Sequence, residues 1–508
     1  MTRAAQALRS ALEEFLAGEQ AALLQRLRDP GDDAVPRSRG RGDWLASEHG
    51  AEALEEACGA GALSTDEVFH MQRHIDGVRH ARLVLPAEAR LRRSLVSASL
   101  PSGERLGLPE LLSRLARADD GRRRGALGRE LEQTLKPIAL EHVSAHARAE
   151  APLRVAPPPP SDAAERSPTR TSSLIVSAWS VEALTEPRPH DLPEPPWLDP
   201  ARAFLRQTED AAQDAVRHCL RAFDPGKRID WHLLLRGLRA PELDSAPAAK
   251  QRWQRAAAFL RVLGFERELD ARMRAEVDRG GALPFASVVQ LALPRDVRVA
   301  QIAIDHGVAS DAFAAQAVAE ALGLALVQPA LPPELRWPCG ASVAGALGAL
   351  ALQLHGDRVH LTRVQGLTAA EAERVGRLSG TLALLHTRAW VALALCPPPD
   401  AERPEAQLEA LAEALSAALC CELPEALGGV LGANRVRARA RAEEALAGLC
   451  LHVALRQRFD ADWFRNPRSA ELLRDACTAG NLNRPAALCD ALGSPLTAAS
   501  PRACELVT

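Results

Sequence analysis

Two pairs of histidines stand four residues apart in this chain, His70 with His74 and His142 with His146. On a helix this spacing places both imidazoles of a pair on one face, as a zinc site requires. Neither pair forms an HExxH motif, because no glutamate directly follows the first histidine. Both pairs fall in amphipathic segments, where a histidine is usually an ordinary packed or half-exposed residue. We therefore predict no metal at either pair, with a metal ligand pair as the alternative.

Other recognisable catalytic motifs are absent from the sequence. There is no GxxxxGK[ST] loop, no GxGxxG after a strand and no GxSxG elbow, so nothing indicates a nucleotide site or a serine hydrolase. The chain contains no tyrosine, which removes every phenol that could serve as an acid or oxyanion donor. Its 10 cysteines include no CxxC pair, and we expect reduced, mostly buried thiols.

An arginine-rich run occupies residues 435–441 (RVRARAR). A helix distributes alternate positions around its circumference, whereas a nucleic-acid stripe needs the charges on one face and aromatic side chains beside them. The run therefore indicates a solvated helix, or one that forms salt bridges with Glu443 and Glu444.

The composition is that of a folded globular protein of 508 residues, with 47% hydrophobic and 25% charged residues. A net charge of −3 gives no overall field to attract nucleic acid or an anionic membrane. Glutamates interrupt the apolar residues near the start, unlike a signal peptide, and no run of about 18 to 20 apolar residues follows. We predict a cytoplasmic protein with no nucleic-acid or membrane partner and no cofactor.

The elements that must position these side chains are almost all helical. Residues 1–150 form an N-terminal helical region by their apolar spacing, and residues 64–67 (STDE) offer a capping start. Residues 151–200 are a proline-rich linker with one strand-like piece at 173–176. Residues 201–495 are helical again, with short strands at 288–293 and 297–304, and 496–508 form a tail. The predicted helices are 4–29, 51–60, 64–84, 86–95, 108–117, 125–149, 201–222, 230–238, 248–278, 311–327, 341–354, 368–395, 405–421, 434–458, 468–478 and 484–492.

Several of these segments, in order, resemble the helical zinc oligopeptidases of the oligoendopeptidase F and thimet oligopeptidase type. Residues 204–210 (FLRQTED) are similar to the segment that opens the core of that family, and 459–467 (FDADWFRNP) to a turn near its C-terminus. The resemblance covers most of residues 200–495, and the first 150 through helical pattern only. It implies a mainly α fold, a large helical oligopeptidase-like body with a small β element near 288–304.

The same resemblance places the catalytic helix of that family at 311–327, where the zinc chemistry is missing. Anchored on Gly323, it puts Glu320 and Leu324 at the two zinc-histidine positions and Ala321 at that of the catalytic glutamate. The next helix, around Ala344, offers no Asp or Glu as third ligand. Leucine cannot bind a metal ion and alanine cannot accept a proton. His386, on a later helix, is the remaining candidate for contact with an oxyanion, although a lone histidine on such a helix is usually packed.

We therefore predict a catalytically inactive metallopeptidase-like protein that binds a peptide or protein partner or has a structural role. Two alternatives stay open. One is a zinc-dependent hydrolase with its metal site elsewhere, built from His70, His74, His142 and His146. The other is a helical scaffold or regulator without enzyme ancestry, whose fold should be unlike that of the oligopeptidases and lack a central cleft.

Overall fold

The computed structural model describes most of the chain. The described residues are 2–28, 39–96, 98–99, 105–106, 110–111, 114–115, 118, 120–153, 197–220, 229–240, 249–276, 287–300, 307–398, 400 and 402–507. Most of the predicted linker at 151–200 lies outside them, including its strand-like piece. Most of the predicted helix 108–117 and the last residues of the second predicted strand, 301–304, also lie outside.

The N-terminal region is helical, as its apolar spacing predicts. Its elements are α1 (Arg3–Arg28), α2 (Arg39–Ala46), α3 (Glu48–Gly59), α4 (Thr65–Val96), a hairpin of β1 (Ala98–Ser99) and β2 (Arg105–Leu106), and α5 (Gly121–Leu153). The predicted cap of α4 is confirmed, since the Glu67 backbone N–H donates to Ser64 Oγ and the Ser64 N–H to Glu67 Oε2. The helix continues through Pro86, where the sequence predicted a break.

The C-terminal region carries the remaining elements, and helices dominate it. They are α6 (Leu198–Gln207), α7 (Glu209–Cys219), α8 (Trp231–Arg239), α9 (Ala249–Val262), α10 (Glu266–Arg272), β3 (Met273–Glu276), β4 (Ser287–Ala292), β5 (Asp296–Ala300), α11 (Gly307–Ala325), α12 (Pro333–Arg336), α13 (Val343–Leu354), α14 (Arg358–Arg363), α15 (Ala369–Leu395), α16 (Pro404–Leu419), α17 (Glu425–Gly432), α18 (Arg435–Phe459), α19 (Pro467–Thr478), α20 (Pro485–Ala491) and α21 (Ala499–Glu505). The predicted fold class, mainly α with a small β element, is confirmed.

The small β element is a three-stranded sheet with β5 in the middle. β5 pairs in parallel with β3 and antiparallel with β4, and Val297 and Val299 of β5 are fully buried. β4 and β5 match the predicted strands. β3 was missed, because residues 273–276 (MRAE) continue a helical pattern and show no strand alternation.

Three helices, α11, α13 and α18, pack together in the interior. Every residue of α13 is buried. The approach of α11 to α13 requires glycine at position 323, because a Cβ there would stand 2.6 Å from the Cα of Ala344. The two positions that the resemblance singles out, Gly323 and Ala344, are therefore neighbours at a close helix crossing.

One helix, α15, is long and apolar enough to cross a membrane by length and composition. Of its apolar window, 78% is buried inside the protein, as in the core helix of a soluble protein. The predicted C-terminal tail is also packed, since Ala499 and Ala503 of α21 are fully buried.

Candidate functional site

Helix α11 presents a half-buried strip, and Glu320 belongs to it. The strip consists of Ala309, Phe313, Gln316 and Glu320, spaced three or four residues apart. The flanking positions are closed: Ala321 is fully buried and Leu324 is 3% exposed. Of the positions predicted from the resemblance, only Glu320 therefore combines a functional group with partial access to solvent.

Glu320 forms a two-pronged ion pair with Arg441 of α18. Arg441 donates from Nη1 to Glu320 Oε2 and from Nη2 to Glu320 Oε1, both over 3.0 Å. Its Nη1 also donates to Glu444 Oε2 over 3.0 Å. One guanidinium thus lies between two carboxylates, with Arg441 25%, Glu320 16% and Glu444 6% exposed. We call these three residues the Glu–Arg–Glu network.

The N-terminus of α13 fixes the inner carboxylate of this network. Ser342 donates to Glu444 Oε1 from its backbone N–H over 2.9 Å and from its hydroxyl over 3.1 Å. The same hydroxyl caps α13 by accepting from the Gly345 N–H. Gly345 leaves room for the Glu444 carboxyl group, because a Cβ there would overlap that group and displace it.

The network is electrostatically asymmetric. The charge of Glu320, together with that of Glu444, raises the pKa of Arg441, so the guanidinium stays charged at any ordinary pH. Burial raises the pKa of Glu444 to about 7, against the opposing charge of Arg441. Burial, and to a smaller extent the charge of Arg441, lowers the pKa of His386 on α15 to about 4. His386 is neutral and accepts a hydrogen bond from Trp390 Nε1 over 3.0 Å.

The raised pKa of Glu444 predicts an unusual pH dependence of stability. Between about pH 4.5 and 7 the folded state holds a proton that the unfolded chain releases, so this group contributes less stability as the pH rises through that window. The variant Glu444→Gln cannot titrate. We expect the Tm advantage of the wild type over this variant to be larger at pH 5 than at pH 8 in thermal unfolding. A constant difference, or one that grows with pH, would contradict the assignment.

The structure separates the two histidine pairs. The His70 Nδ1 lies 3.3 Å from Cys339 Sγ, and His74 is buried beside the backbone of Glu334 and Trp337 at α12. His142 instead packs against His146, and His146 against His80, which is ten residues, or about 15 Å along the helix, from His70. Burial lowers the pKa of His70 and His146 to about 3, so both imidazoles are neutral. The four histidines do not form one site.

A cavity between helices of the C-terminal region lies away from the Glu–Arg–Glu network. Its volume is about 790 Å³, and it opens between the end of α18 and the helices α19 and α20. Arg458, Arg468, Arg484, Glu471 and Asp475 supply charges of both signs to its wall. None of the predicted site positions lines it.

Two residues of the network, Arg441 and Glu444, were not among the predicted site positions. Of the two alternatives left open for the arginine run, a solvated helix or one with salt bridges to Glu443 and Glu444, the structure shows a salt bridge between Arg441 and Glu444. Its burial was not predicted. The sequence does contain a pattern from which this burial could have been predicted. Ala438, Ala442 and Ala445 are spaced as one apolar helix face beside the two charged residues, and this face packs inward.

Comparison with known proteins shows a likeness of fold. No known sequence family matches the chain, and no curated protein resembles it in sequence. Among solved structures, PZ peptidase A matches 99% of this chain and 95% of its own at 11% identity and a TM-score of 0.64. A Bacillus anthracis protein designated an oligoendopeptidase F matches 97% of this chain and 87% of its own, at 12% identity and a TM-score of 0.59. A Pyrococcus furiosus carboxypeptidase matches 96% of this chain and 95% of its own, at 11% identity and a TM-score of 0.54.

Proposed function

We propose that this chain is a catalytically inactive protein with the fold of the helical metallopeptidases, and that it binds a peptide or protein partner. The observation that carries the proposal is the two-pronged Arg441–Glu320 ion pair. The resemblance puts the first zinc histidine at position 320. In this chain that position holds a carboxylate, which is paired with the guanidinium of Arg441.

The chemistry of zinc peptidases explains why this arrangement supports inactivity. Such an enzyme holds zinc with two neutral imidazoles and a carboxylate, keeps a fourth position for water and uses a separate glutamate as base. Here the corresponding side chains are Glu320, Leu324 and Ala321, with Ala344 on the next helix. A guanidinium has five donors and no lone pair for a metal, so Arg441 satisfies the carboxylates without replacing the lost Lewis acid.

The surface beside the network supports the binding role. Arg437 is exposed and lies one turn before Arg441, and its charge interacts with both Glu88 of α4 and Glu320 of α11. Side chains from the N-terminal and C-terminal regions therefore approach each other beside the network. Charges of both signs beside the half-buried Phe313 suit a peptide segment, which offers backbone amides, carbonyls and side chains together.

Two further features bear on the role. All ten cysteines are free thiols, which supports a reducing compartment such as the cytoplasm. The fold is oligopeptidase-like over nearly the whole chain, which disfavours the alternative of a scaffold with an unrelated fold.

Quenched fluorescent peptides test the loss of activity directly. We expect no cleavage that depends on added Zn²⁺ or stops with a chelator, and a peptide library should yield ligands that bind without being cut. The variant Phe313→Ala, on the half-buried strip of α11, should weaken such binding, whereas Leu482→Ala, at an exposed site in the C-terminal region, should not. Zinc-dependent cleavage that Glu320→Ala abolishes would overturn the proposal.

A further inference from the structure

Three histidines from two helices meet in the N-terminal region. His142 and His146 come from α5 and His80 from α4. The ring centroids of His142 and His146 are 4.6 Å apart, and those of His80 and His146 are 5.2 Å apart. His146 is fully buried, and His142 and His80 are 6% and 9% exposed. We call these three residues the histidine cluster.

Four of the six ring nitrogens of the cluster lack hydrogen-bond partners among the residues that the structure describes. Both nitrogens of His146, Nδ1 of His142 and Nε2 of His80 are buried and unpaired. Buried polar atoms in proteins are almost always satisfied, and unpaired ones commonly indicate an ion or water. Four such atoms in one contiguous cluster point to a shared ligand with affinity for imidazole.

We propose that the histidine cluster binds one divalent transition-metal ion of the zinc class. Zn–N distances of about 2.0–2.1 Å in a tetrahedral site place the centroids of two ligating imidazoles about 5 Å apart, which the two measured separations match. Glu88, two turns after His80 on α4, is the candidate fourth ligand, since its Oε1 lies 3.8 Å from His146 Nε2. Nitrogen donors of this kind select zinc, cobalt, nickel or copper over magnesium and calcium.

The cluster is a site that closes on the metal. Within the described ranges, no three ligating side chains already surround one point as a metal centre would need. The imidazoles turn about χ2, which is a soft torsion in histidine, and no hydrogen bond holds the unpaired nitrogens in place. The bound ion fastens α4 to α5. This inference is independent of the proposed function and replaces the expectation that these histidines hold no metal.

Titration of the chelator-treated full chain with Co²⁺ and Zn²⁺ tests this inference. The wild type should bind one equivalent, show the visible absorption of cobalt with nitrogen ligands and gain about 3 °C in Tm with excess Zn²⁺. His146→Ala and His142→Ala should weaken binding at least about tenfold. The matched control is His74→Ala, which removes a buried histidine of the other pair and should bind like the wild type.

Absence of binding by the wild type would overturn the inference and leave water as the partner of these nitrogens. Equal binding by His146→Ala, or loss of binding in His74→Ala, would also overturn it. If His146→Ala does not fold, as judged by circular dichroism, His80→Gln at the edge of the cluster provides the same comparison. Peptide cleavage is not part of this readout, so its outcome is separate from that of the proposed function.

Discussion

Replacement of Arg441 by alanine is expected to lower the free energy of unfolding by about 3–5 kcal/mol, the usual cost of removing one partner from a buried charge network. The substitution leaves Glu320 and Glu444 facing each other without a cation, and Glu444 is almost fully buried. The loss therefore reflects two carboxyl groups that are left without their shared donor, and the cost of protonating the buried Glu444, rather than the value of the ion pair itself. Urea unfolding, followed by circular dichroism, measures it.

The control for this prediction is Arg456→Ala on the same helix. Arg456 is 40% exposed and lies 3.6 Å from Glu505, so its loss should cost less than about 1 kcal/mol. A variant with Arg441→Met, Glu320→Gln and Glu444→Gln should recover most of the stability, because no buried charge remains. Equal effects of the two arginine substitutions would show that the network is solvated and would remove the basis for our assignment.

Replacement of Ala321 by glutamate is expected to destabilise the protein by at least about 4 kcal/mol, through a buried charge and overpacking together. The resemblance gives this position to the catalytic glutamate of the peptidases, where an open cleft would accommodate it. Here Ala321 and Leu322 are fully buried, and Ala317, one turn before Ala321 on α11, is 4% exposed. The same substitution thus distinguishes a peptidase cleft from a filled core.

The matched control is Ala309→Glu, on the half-buried strip of the same helix. Its carboxylate lies in the first turn, where the helix dipole favours a negative charge, so little or no loss of stability is expected. Thermal and urea unfolding of both variants gives the comparison. A well-folded Ala321→Glu protein with a stability near that of the wild type would mean that the cleft remains open at this position.

The helices and their caps could be predicted from the sequence because they depend on residues a few positions apart. The apolar spacing of α1 and the Ser64–Glu67 cap of α4 are examples. The Glu320–Arg441 pair joins residues 121 positions apart, and its formation depends on how α11 and α18 both pack against α13. Local pattern carries no such information. The local pattern also predicted a helix over the residues of β3, which instead form a strand because they pair with β5.

The cation of the Glu–Arg–Glu network is part of the polypeptide. A metal ion between α11 and α18 would have a dissociation constant, and its occupancy would vary with supply, chelators and competing ions. The guanidinium of Arg441 is covalently attached and cannot dissociate from the protein. Its raised pKa keeps it charged throughout the physiological pH range. The positive charge at this position is therefore present as soon as the polypeptide is synthesised and folded. It needs no metal incorporation and cannot be removed by a chelator.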